Sequence, residues 1–230
     1  MASQAPLRID VWSDVACPWC YLGKRRLESA LRDFEHAADT VVTWHAFQLD
    51  PSAPAVRDSS LSHHERLAKK YGMSVERARA LNDRLCALAE AEGLTFDFEH
   101  IRSGNTFDAH RVLRLARERG KQNAVKERLL HAYFCEGQAL GDHATLQRLA
   151  EEAGLDASEV SELLASDLYA REVREDQAAA QQLAVDGVPF FVIGGRYALA
   201  GAQPAELLLK VLREAWNDRP EGEPATAPSH

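Results

Sequence analysis

Two cysteines separated by two residues, Cys17 and Cys20 in the tetrapeptide CPWC, are the residues of this chain best suited to chemistry. A close pair of thiols can cycle between dithiol and disulfide, supply half of a metal site, or simply be buried. The 230-residue chain has four cysteines, and Cys86 and Cys135 each stand alone in a helical pattern, which is typical of small core residues. A structural zinc site needs about four ligands. The count therefore favours a redox pair, and no metal site is predicted.

The sequence around the pair has the pattern of a strand followed by a helix. Apolar and polar residues alternate in LRIDVW, residues 7–12, which is typical of a strand. After CPWC, Leu27, Leu31 and Phe34 recur at helical spacing and predict an amphipathic helix. The β-branched and aromatic segment VVTWHAFQL, residues 41–49, predicts a second strand. The chain therefore opens as β–α–β.

This placement gives the first cysteine an electrostatic advantage. A helix N-terminus carries partial positive charge and unpaired N–H groups that stabilise thiolate over thiol, so Cys17 is the expected nucleophile. Cys20 lies one turn deeper on nearly the same face, where it can attack a mixed disulfide formed at Cys17. Pro18 suits a first helical turn, and Trp19 is expected to project outward and offer a substrate an apolar contact. The KRR segment, residues 24–26, adds positive charge that is expected to face solvent.

The middle of the chain, from about residue 55 to 170, reads almost entirely as helices bounded by Gly, Asp or Ser. One of these helices is expected to carry a single apolar stripe formed by Val75, Ala78, Leu81, Leu85 and Leu88.

The last third returns to mixed structure. The segment REVREDQAAAQQLAVDGVPF predicts a helix that ends at Gly187, and the apolar runs 190–193 and 197–200 around a Gly-Gly step predict a hairpin. A final helix is predicted over residues 204–216, with proline at its start. The order after the helical block is therefore α–β–β–α, followed by a Pro-rich polar tail.

Charge and hydropathy narrow the partners and the location. The formal net charge of −8 argues against nucleic acid or an anionic membrane as the main partner. No apolar run approaches the roughly 18 residues of a membrane span, and the N-terminal segment has neither a basic region nor an apolar core typical of secretion signals. These features predict a cytoplasmic protein, in which a permanent structural disulfide is not expected.

Several separated motifs resemble one known family. CPWC, YLGKRRLE, NTFDAHR, AYFCEG and GVPFFVIGGRYALAGAQ, in this order, are similar to the FrnE-type members of the DsbA superfamily, which are cytoplasmic dithiol–disulfide oxidoreductases. The resemblance runs from about residue 7 to 216. It implies an α/β fold: a thioredoxin-like fold with a large α-helical domain inserted between its two halves.

The domain boundaries that follow are residues 6–50 for the first thioredoxin-like half with CPWC and 51–170 for the helical insertion. Residues 171–217 form the second half, and residues 218–230 are predicted to be a disordered tail.

The same resemblance implies roles for individual residues. Cys17 is the attacking thiolate, Cys20 is the resolving cysteine and Pro189 is a cis-proline. Val188, just before it, offers backbone groups to an extended substrate, as in β-strand addition. No tightly bound cofactor is implied beyond the redox-active disulfide of Cys17 and Cys20, and the substrate is a disulfide-containing protein or a small-molecule thiol.

Three further polar residues are candidates near the pair. Asn105 and the threonine after it have the pattern of a helix N-cap, and His110 follows one turn later. The family resemblance suggests that this turn faces the dithiol across a cleft, which makes Asn105 and His110 candidate substrate contacts. Asp14 either tunes the pair and relays protons or caps the turn after the strand.

Two other functions remain open at this point. Kappa-class glutathione transferases and 2-hydroxychromene-2-carboxylate isomerases form a neighbouring branch, which has a serine where this chain has Cys17 and activates glutathione. CPWC favours disulfide exchange over that chemistry, although glutathione stays a candidate co-substrate. A redox-inactive binding module or chaperone is the third class. The amphipathic helices of the insertion make a homodimer a candidate assembly.

Overall fold

A four-stranded mixed sheet carries the two halves of the fold. The computed structural model describes residues 5–58 and 60–219. In it, β1 (Leu7–Ser13) runs parallel to β2 (Thr40–Ala46) and antiparallel to β3 (Phe190–Ile193), which pairs with antiparallel β4 (Tyr197–Ala200). The strand order is β2-β1-β3-β4. The predicted hairpin strands are confirmed, and the second strand ends three residues earlier than the predicted 49.

The α-helices of the described residues alternate with these strands only at the two ends of the chain. They are α1 (Pro18–Arg32), α2 (His63–Tyr71), α3 (Val75–Glu90), α4 (Phe107–Glu118), α5 (Gln122–Cys135), α6 (His143–Glu152), α7 (Ala157–Leu164), α8 (Ala170–Gln182) and α9 (Ala205–Asn217).

Six of these helices, α2 to α7, lie between β2 and α8 in the sequence. The mixed α/β class and the helical block between the two thioredoxin-like halves are thus confirmed, while the domain boundaries stay a prediction. The predicted disordered tail lies outside the described residues from residue 220 onward. Within the described ranges, no helix is long and apolar enough to cross a membrane.

Alternation along the central strand decides which helices cover each face of the sheet. Leu7, Ile9 and Val11 point to one face and pack with Leu27 of α1 and Leu208 of α9 in one buried cluster. Residues of the other parity point to the opposite face, where α8 packs. The sheet is therefore covered on both faces, and α1 is held against one of them.

The helical block has its own core, and the start of α1 belongs to it. Tyr21 and Leu22 are fully buried in a cluster that includes Leu129 and Phe134 of α5. Because Leu27 of α1 packs against the sheet instead, this helix is buried on both sides. The CPWC segment at its N-terminus therefore lies where the sheet and the helical block meet.

The predicted apolar stripe of α3 is only partly correct. Ala78 and Leu85 are buried, but Leu81 and Leu88 are 42% and 41% exposed. The buried residues of α3 are Ala78, Asn82, Leu85 and Ala89. The helix is rotated so that a stripe with one polar member faces its neighbours, and two leucines of the predicted stripe face solvent.

The helix before β3 ends earlier than predicted, at Gln182 instead of Gly187. Ala184 adopts a left-handed conformation (φ 53°), and its N–H and that of Val185 donate to the carbonyls of Gln181 and Ala180 at 3.0 and 2.9 Å. This is a Schellman ending, in which a glycine is usual. Because an alanine occupies this position, the helix end predicted at the next glycine, Gly187, lies too far along the chain.

A half-buried histidine joins α8 to the sheet. His45 Nδ1 lies 2.7 Å from Asp176 Oδ1, and its Nε2 lies 2.8 Å from Asp10 Oδ1. Both ring nitrogens face carboxylate oxygens, which only accept, so the ring is held as an imidazolium. Burial lowers the pKa of His45, but the hydrogen bonds to the two carboxylates outweigh it and raise that pKa above its ordinary value.

We expect the free energy of unfolding to depend on pH through this histidine. Since the folded pKa is raised, its contribution is fully present below the unfolded value of 6.5 and is lost as the pH rises through the folded value. His45→Gln should lose about 3 kcal/mol near pH 6, and less near pH 9, in urea unfolding. The control, His100→Gln, removes an exposed histidine paired with Asp97 and should change little. An equal loss at both pH values would contradict this assignment.

Candidate active site around the CPWC helix

The CPWC segment begins a helix directly after the central strand. Cys17 is the N-cap of α1 with extended backbone (φ −101°, ψ 113°), and Pro18 occupies the first helical turn. The N–H groups of Cys20 and Tyr21 donate to the Cys17 carbonyl at 3.0 and 3.4 Å. The predicted placement of the pair at a helix N-terminus is confirmed.

A loop from the other end of the sequence lies against the first cysteine. The Val188–Pro189 peptide bond is cis, as the resemblance implied. The Cys17 thiol donates a hydrogen bond to the Val188 carbonyl at 3.4 Å. The turn after β1 and the segment before β3 therefore meet at the Cys17 sulfur.

The two cysteines differ in access to solvent. Cys17 is 4% exposed and Cys20 is 0% exposed, and both are free thiols. Trp19, between them in the sequence, is 43% exposed, as predicted. The order of burial suits Cys17 to meet a substrate first and Cys20 to act from behind it.

Several groups around Cys17 act on the pKa of its thiol. A hydrogen bond with the Cys20 thiol, burial, and the negative charges of Cys20 and Asp14 together raise the pKa of Cys17 well above its ordinary value. The Cys20 backbone N–H lowers it, but by less. The expectation that the helix N-terminus favours the Cys17 thiolate stays a prediction, and in the closed dithiol the second thiol and burial oppose it.

Asp14 is a buried carboxylate that holds the turn before the pair. Its Oδ2 accepts the Leu49 N–H at 2.8 Å, and its Oδ1 accepts the Ala16 N–H at 3.3 Å. Burial raises the pKa of Asp14, but the hydrogen bond and charge of His110, the Leu49 N–H and the charge of Lys126 lower it below its ordinary value. Asp14 is therefore a fixed negative charge beneath the CPWC turn.

The other two polar candidates are engaged with the protein itself. His110 is buried, and its Nε2–H donates to the Phe47 carbonyl at 3.1 Å and lies 3.4 Å from Asp14 Oδ1. Asn105 donates to the carbonyls of Pro51 and Ala53, while its Oδ1 accepts from the Phe107 N–H and from a neighbouring glutamine. These contacts favour a positioning role for both residues over the predicted contact with substrate.

Contrary to the expectation, the three cations after CPWC do not face solvent. Lys24 is 1% exposed, and its Nζ lies 2.6 Å from Glu127 Oε2 on α5. Arg25 also pairs with Glu127, and Arg26 donates to the Ala202 carbonyl at 2.6 Å. Because α1 is packed between the sheet and the helical block, these side chains fasten the helix to its neighbours.

Sequence reasoning missed a second buried lysine near the pair. Lys126 of α5 is fully buried, and its Nζ has no hydrogen-bond partner among the described residues. No clear signal was present in the sequence, because polar and apolar residues are mixed around α5 and do not separate into two faces. Gln122 and Leu130, one turn away on the same face, are buried as well.

A glycine inside α1 permits the close approach of the cis-proline loop. A Cβ built on Gly23 would lie 2.8 Å from Pro189 Cγ and 3.4 Å from Phe191 Cζ. Real side chains do not approach that closely, so any larger residue displaces the Pro189 ring. A glycine in the middle of a helical pattern costs about 1 kcal/mol, and this contact supplies its reason.

We expect Gly23→Ala to slow disulfide exchange by roughly tenfold to a hundredfold. The added methyl group shifts the Val188–Pro189 loop relative to Cys17, and misplacement of reacting groups by about 1 Å costs rates of that order. The control is Gly187→Ala in the same loop, where an added Cβ meets no atom within 4 Å. Equal rates for the two variants would show that the contact has no role in positioning.

Comparisons with known proteins agree with this architecture. The family model described as the DSBA-like thioredoxin domain matches residues 8–213. The chain belongs to the DsbA-like thioredoxin family. It is therefore a member of a family of thiol oxidoreductases and isomerases, whose members act on disulfide or thiol substrates.

Individual relatives of this DsbA-like protein differ in similarity. The crystal structure of a probable DsbA oxidoreductase, SCO1869 from Streptomyces coelicolor, is 43% identical in sequence to this chain and superposes on it with a TM-score of 0.88. The match covers 96% of this chain and 94% of that one. Protein YwbO of Bacillus subtilis (strain 168) is 28% identical over 190 residues, which is 82% of this chain and 87% of YwbO. A 2-hydroxychromene-2-carboxylate isomerase structure has the same fold at 19% identity and a TM-score of 0.60, covering 91% and 94% of the two chains.

Proposed function

We propose that this DsbA-like protein is a cytoplasmic thiol–disulfide oxidoreductase of the FrnE type that exchanges disulfides through Cys17 and Cys20. The observation that carries the proposal is the position of Cys17 as the N-cap residue of α1, where its thiol hydrogen-bonds the Val188 carbonyl and lies within hydrogen-bond reach of Cys20. Its substrates are disulfide-containing proteins or small-molecule disulfides, and it works in the reductase or isomerase direction because a reducing compartment keeps the pair reduced.

The first step is attack by the Cys17 sulfur on one sulfur of the substrate disulfide. Cys17 first loses its thiol proton to solvent. Its thiolate then bonds to that sulfur, and the other substrate sulfur leaves with the electron pair of the broken bond and takes a proton from solvent. The Val188 backbone and the exposed face of Trp19 are placed to hold the extended substrate during this step. A bound substrate takes the place of the Cys17 thiol at the Val188 carbonyl, where the hydrogen bond between these two groups otherwise closes the site.

The second step is attack by Cys20 on Cys17 Sγ. The bond between Cys17 and the substrate breaks, the substrate sulfur leaves with its electron pair, and a Cys17–Cys20 disulfide remains. The substrate gains two electrons and the cysteine pair loses two, so the oxidised enzyme needs a dithiol or two molecules of a monothiol for recovery. Glutathione is the proposed recovering thiol, and no tightly bound cofactor is required.

The second candidate function, glutathione-dependent transfer or isomerisation, uses only one activating residue at the helix N-terminus. The fully buried Cys20 has a role in disulfide exchange and none in that chemistry. This difference favours exchange.

A two-arm assay tests the proposal. In one arm, the chain is added to insulin and reduced glutathione, and we expect faster precipitation of the reduced insulin chains. In the other arm, glutathione is offered an electrophile, and we expect no acceleration of conjugate formation. Acceleration of the second reaction alone would overturn the proposal in favour of the glutathione-dependent branch.

A further inference from the structure

The buried ammonium of Lys126 has no role in the exchange described so far. Its side chain is 0% exposed and comes from α5 in the helical block, not from the sheet that carries the cysteines. Its Nζ lies 5.6 Å from the centre of the Trp44 ring on β2. Removing a charge from water without a partner is costly, so its persistence at this place needs a reason.

The carboxylate of Glu127, next to Lys126 in the sequence, already has hydrogen-bond partners on α1. Glu127 accepts from the Tyr21 hydroxyl at 2.7 Å and from Lys24 Nζ at 2.6 Å, and it also pairs with Arg25. It neutralises the cations of α1 and leaves Lys126 without a hydrogen-bond partner in the described parts of the chain. Glu127 therefore pairs with the cations of α1, whereas the adjacent Lys126 has no hydrogen-bonding anion in the described residues.

The groups whose charges act on Lys126 are those of the CPWC site. Cys20 has the largest favourable effect, followed by Asp14 and Cys17, while Lys24 opposes them. Burial lowers the pKa of Lys126 to about 8, even though these acidic groups raise it. Asp14 supplies a through-space negative charge, but neither it nor any other described residue accepts a hydrogen bond from the Lys126 ammonium.

We propose that the Lys126 ammonium is the counter-charge for the thiolate that forms at Cys20 when Cys17 is bonded to a substrate. In that intermediate Cys17 carries no charge, and Cys20 must lose its thiol proton to solvent before it attacks. Lys126 stabilises the resulting anion through space. Cys20 then bonds to Cys17 Sγ, and the substrate sulfur leaves with the electron pair and takes a proton from solvent. This inference rests on the proposed exchange function and assigns its second step to a residue of the helical block.

Stopped-flow mixing with dithiobis(nitrobenzoate), an aromatic disulfide whose released thiolate absorbs visible light, separates the two steps. Attack by Cys17 releases one equivalent in a reaction that depends on reagent concentration. Attack by Cys20 releases a second equivalent in a first-order phase that does not. The background carries Cys86→Ser and Cys135→Ser, so that only the pair reacts. The measurement is the rate of the second phase across pH.

Lys126→Met should raise the pH midpoint of the second phase by at least about one unit and slow it about three- to tenfold near pH 7. The slowing is smaller than the loss of thiolate, because a more basic thiolate is also a better nucleophile. The matched control is Lys24→Met, which removes an equally buried ammonium whose charge Glu28 and Glu127 already neutralise. Because the Lys24 charge acts on Lys126 more weakly than Cys20, Asp14 and Cys17 do, the midpoint of this control should shift by much less than that of Lys126→Met.

The outcomes separate this inference from the function on which it rests. Release of only one equivalent by the parent protein would refute the exchange function itself. Release of two equivalents with an unchanged midpoint in Lys126→Met would refute the role of Lys126 alone. Urea unfolding of both variants monitors their folded state, since a merely structural lysine lowers stability without moving the midpoint. If Lys126→Met does not fold, Lys126→Gln takes its place in the same measurement.

Discussion

Replacement of Cys17 by serine should remove all measurable catalysis of disulfide exchange. A serine hydroxyl is a weak nucleophile without an adjacent base. In the described residues the Cys17 thiol contacts the Val188 carbonyl, which is not a base. Cys17 is also the more exposed member of the pair, so no other sulfur of the pair can reach a substrate first. The measurement is the rate of insulin reduction by glutathione with the variant present.

The matched control for this variant is Cys135→Ser. Cys135 is half-buried at the end of α5 and packs against the helical core. It should retain the parent rate. Full activity in Cys17→Ser would contradict the role of Cys17 as the nucleophile. A redox-inactive binding module or chaperone would accelerate insulin reduction in neither the variant nor the parent protein.

Replacement of Cys20 by serine should convert the enzyme into a trap. Cys17 can still attack a disulfide, but the fully buried partner that resolves the intermediate is gone. Mixed disulfides on Cys17 should then accumulate in close to stoichiometric amounts when the variant meets oxidised glutathione or a protein disulfide, whereas the parent protein shows only a small fraction. Intact-mass measurement after acid quenching detects the adduct.

The serine variant of Cys86 is the control for trapping. That thiol is half-buried on α3, and its Sγ contacts the Phe96 carbonyl at 3.9 Å. Cys86→Ser should behave as the parent protein does. An absence of adduct in Cys20→Ser would contradict the order of attack, since it would mean that Cys17 is not the first nucleophile or that Cys20 is not the resolving thiol.

The parts of the fold that follow from local pattern could be predicted closely. Alternation in residues 7–12 identified β1 and its buried face, because strand side chains alternate regardless of what covers them. The hairpin at 190–200 follows from a Gly-Gly step whose residues adopt positive φ, a conformation that glycine allows without strain. The end of α8 was misplaced because Ala184 carries a conformation that is usually signalled by glycine.

The chemistry of the site depended on contacts that local pattern does not contain. CPWC identified the pair, but the raised pKa of Cys17 depends on its hydrogen bond with Cys20 and on burial beneath the Val188 loop. The burial of Lys24 and Lys126 follows from packing of α1 against α5, residues about a hundred positions apart. Such burial is decided by tertiary packing, and a charged residue on a helix is normally expected at the surface.

The most direct test of the account is a redox titration of the parent protein in glutathione buffers, quenched by alkylation and read by intact mass. The account predicts one reversible two-electron transition, in which the alkylation sites of Cys17 and Cys20 disappear together and no glutathione is added. Its midpoint also distinguishes a reductant from an oxidant. A stable adduct with one glutathione and no internal disulfide would contradict the account.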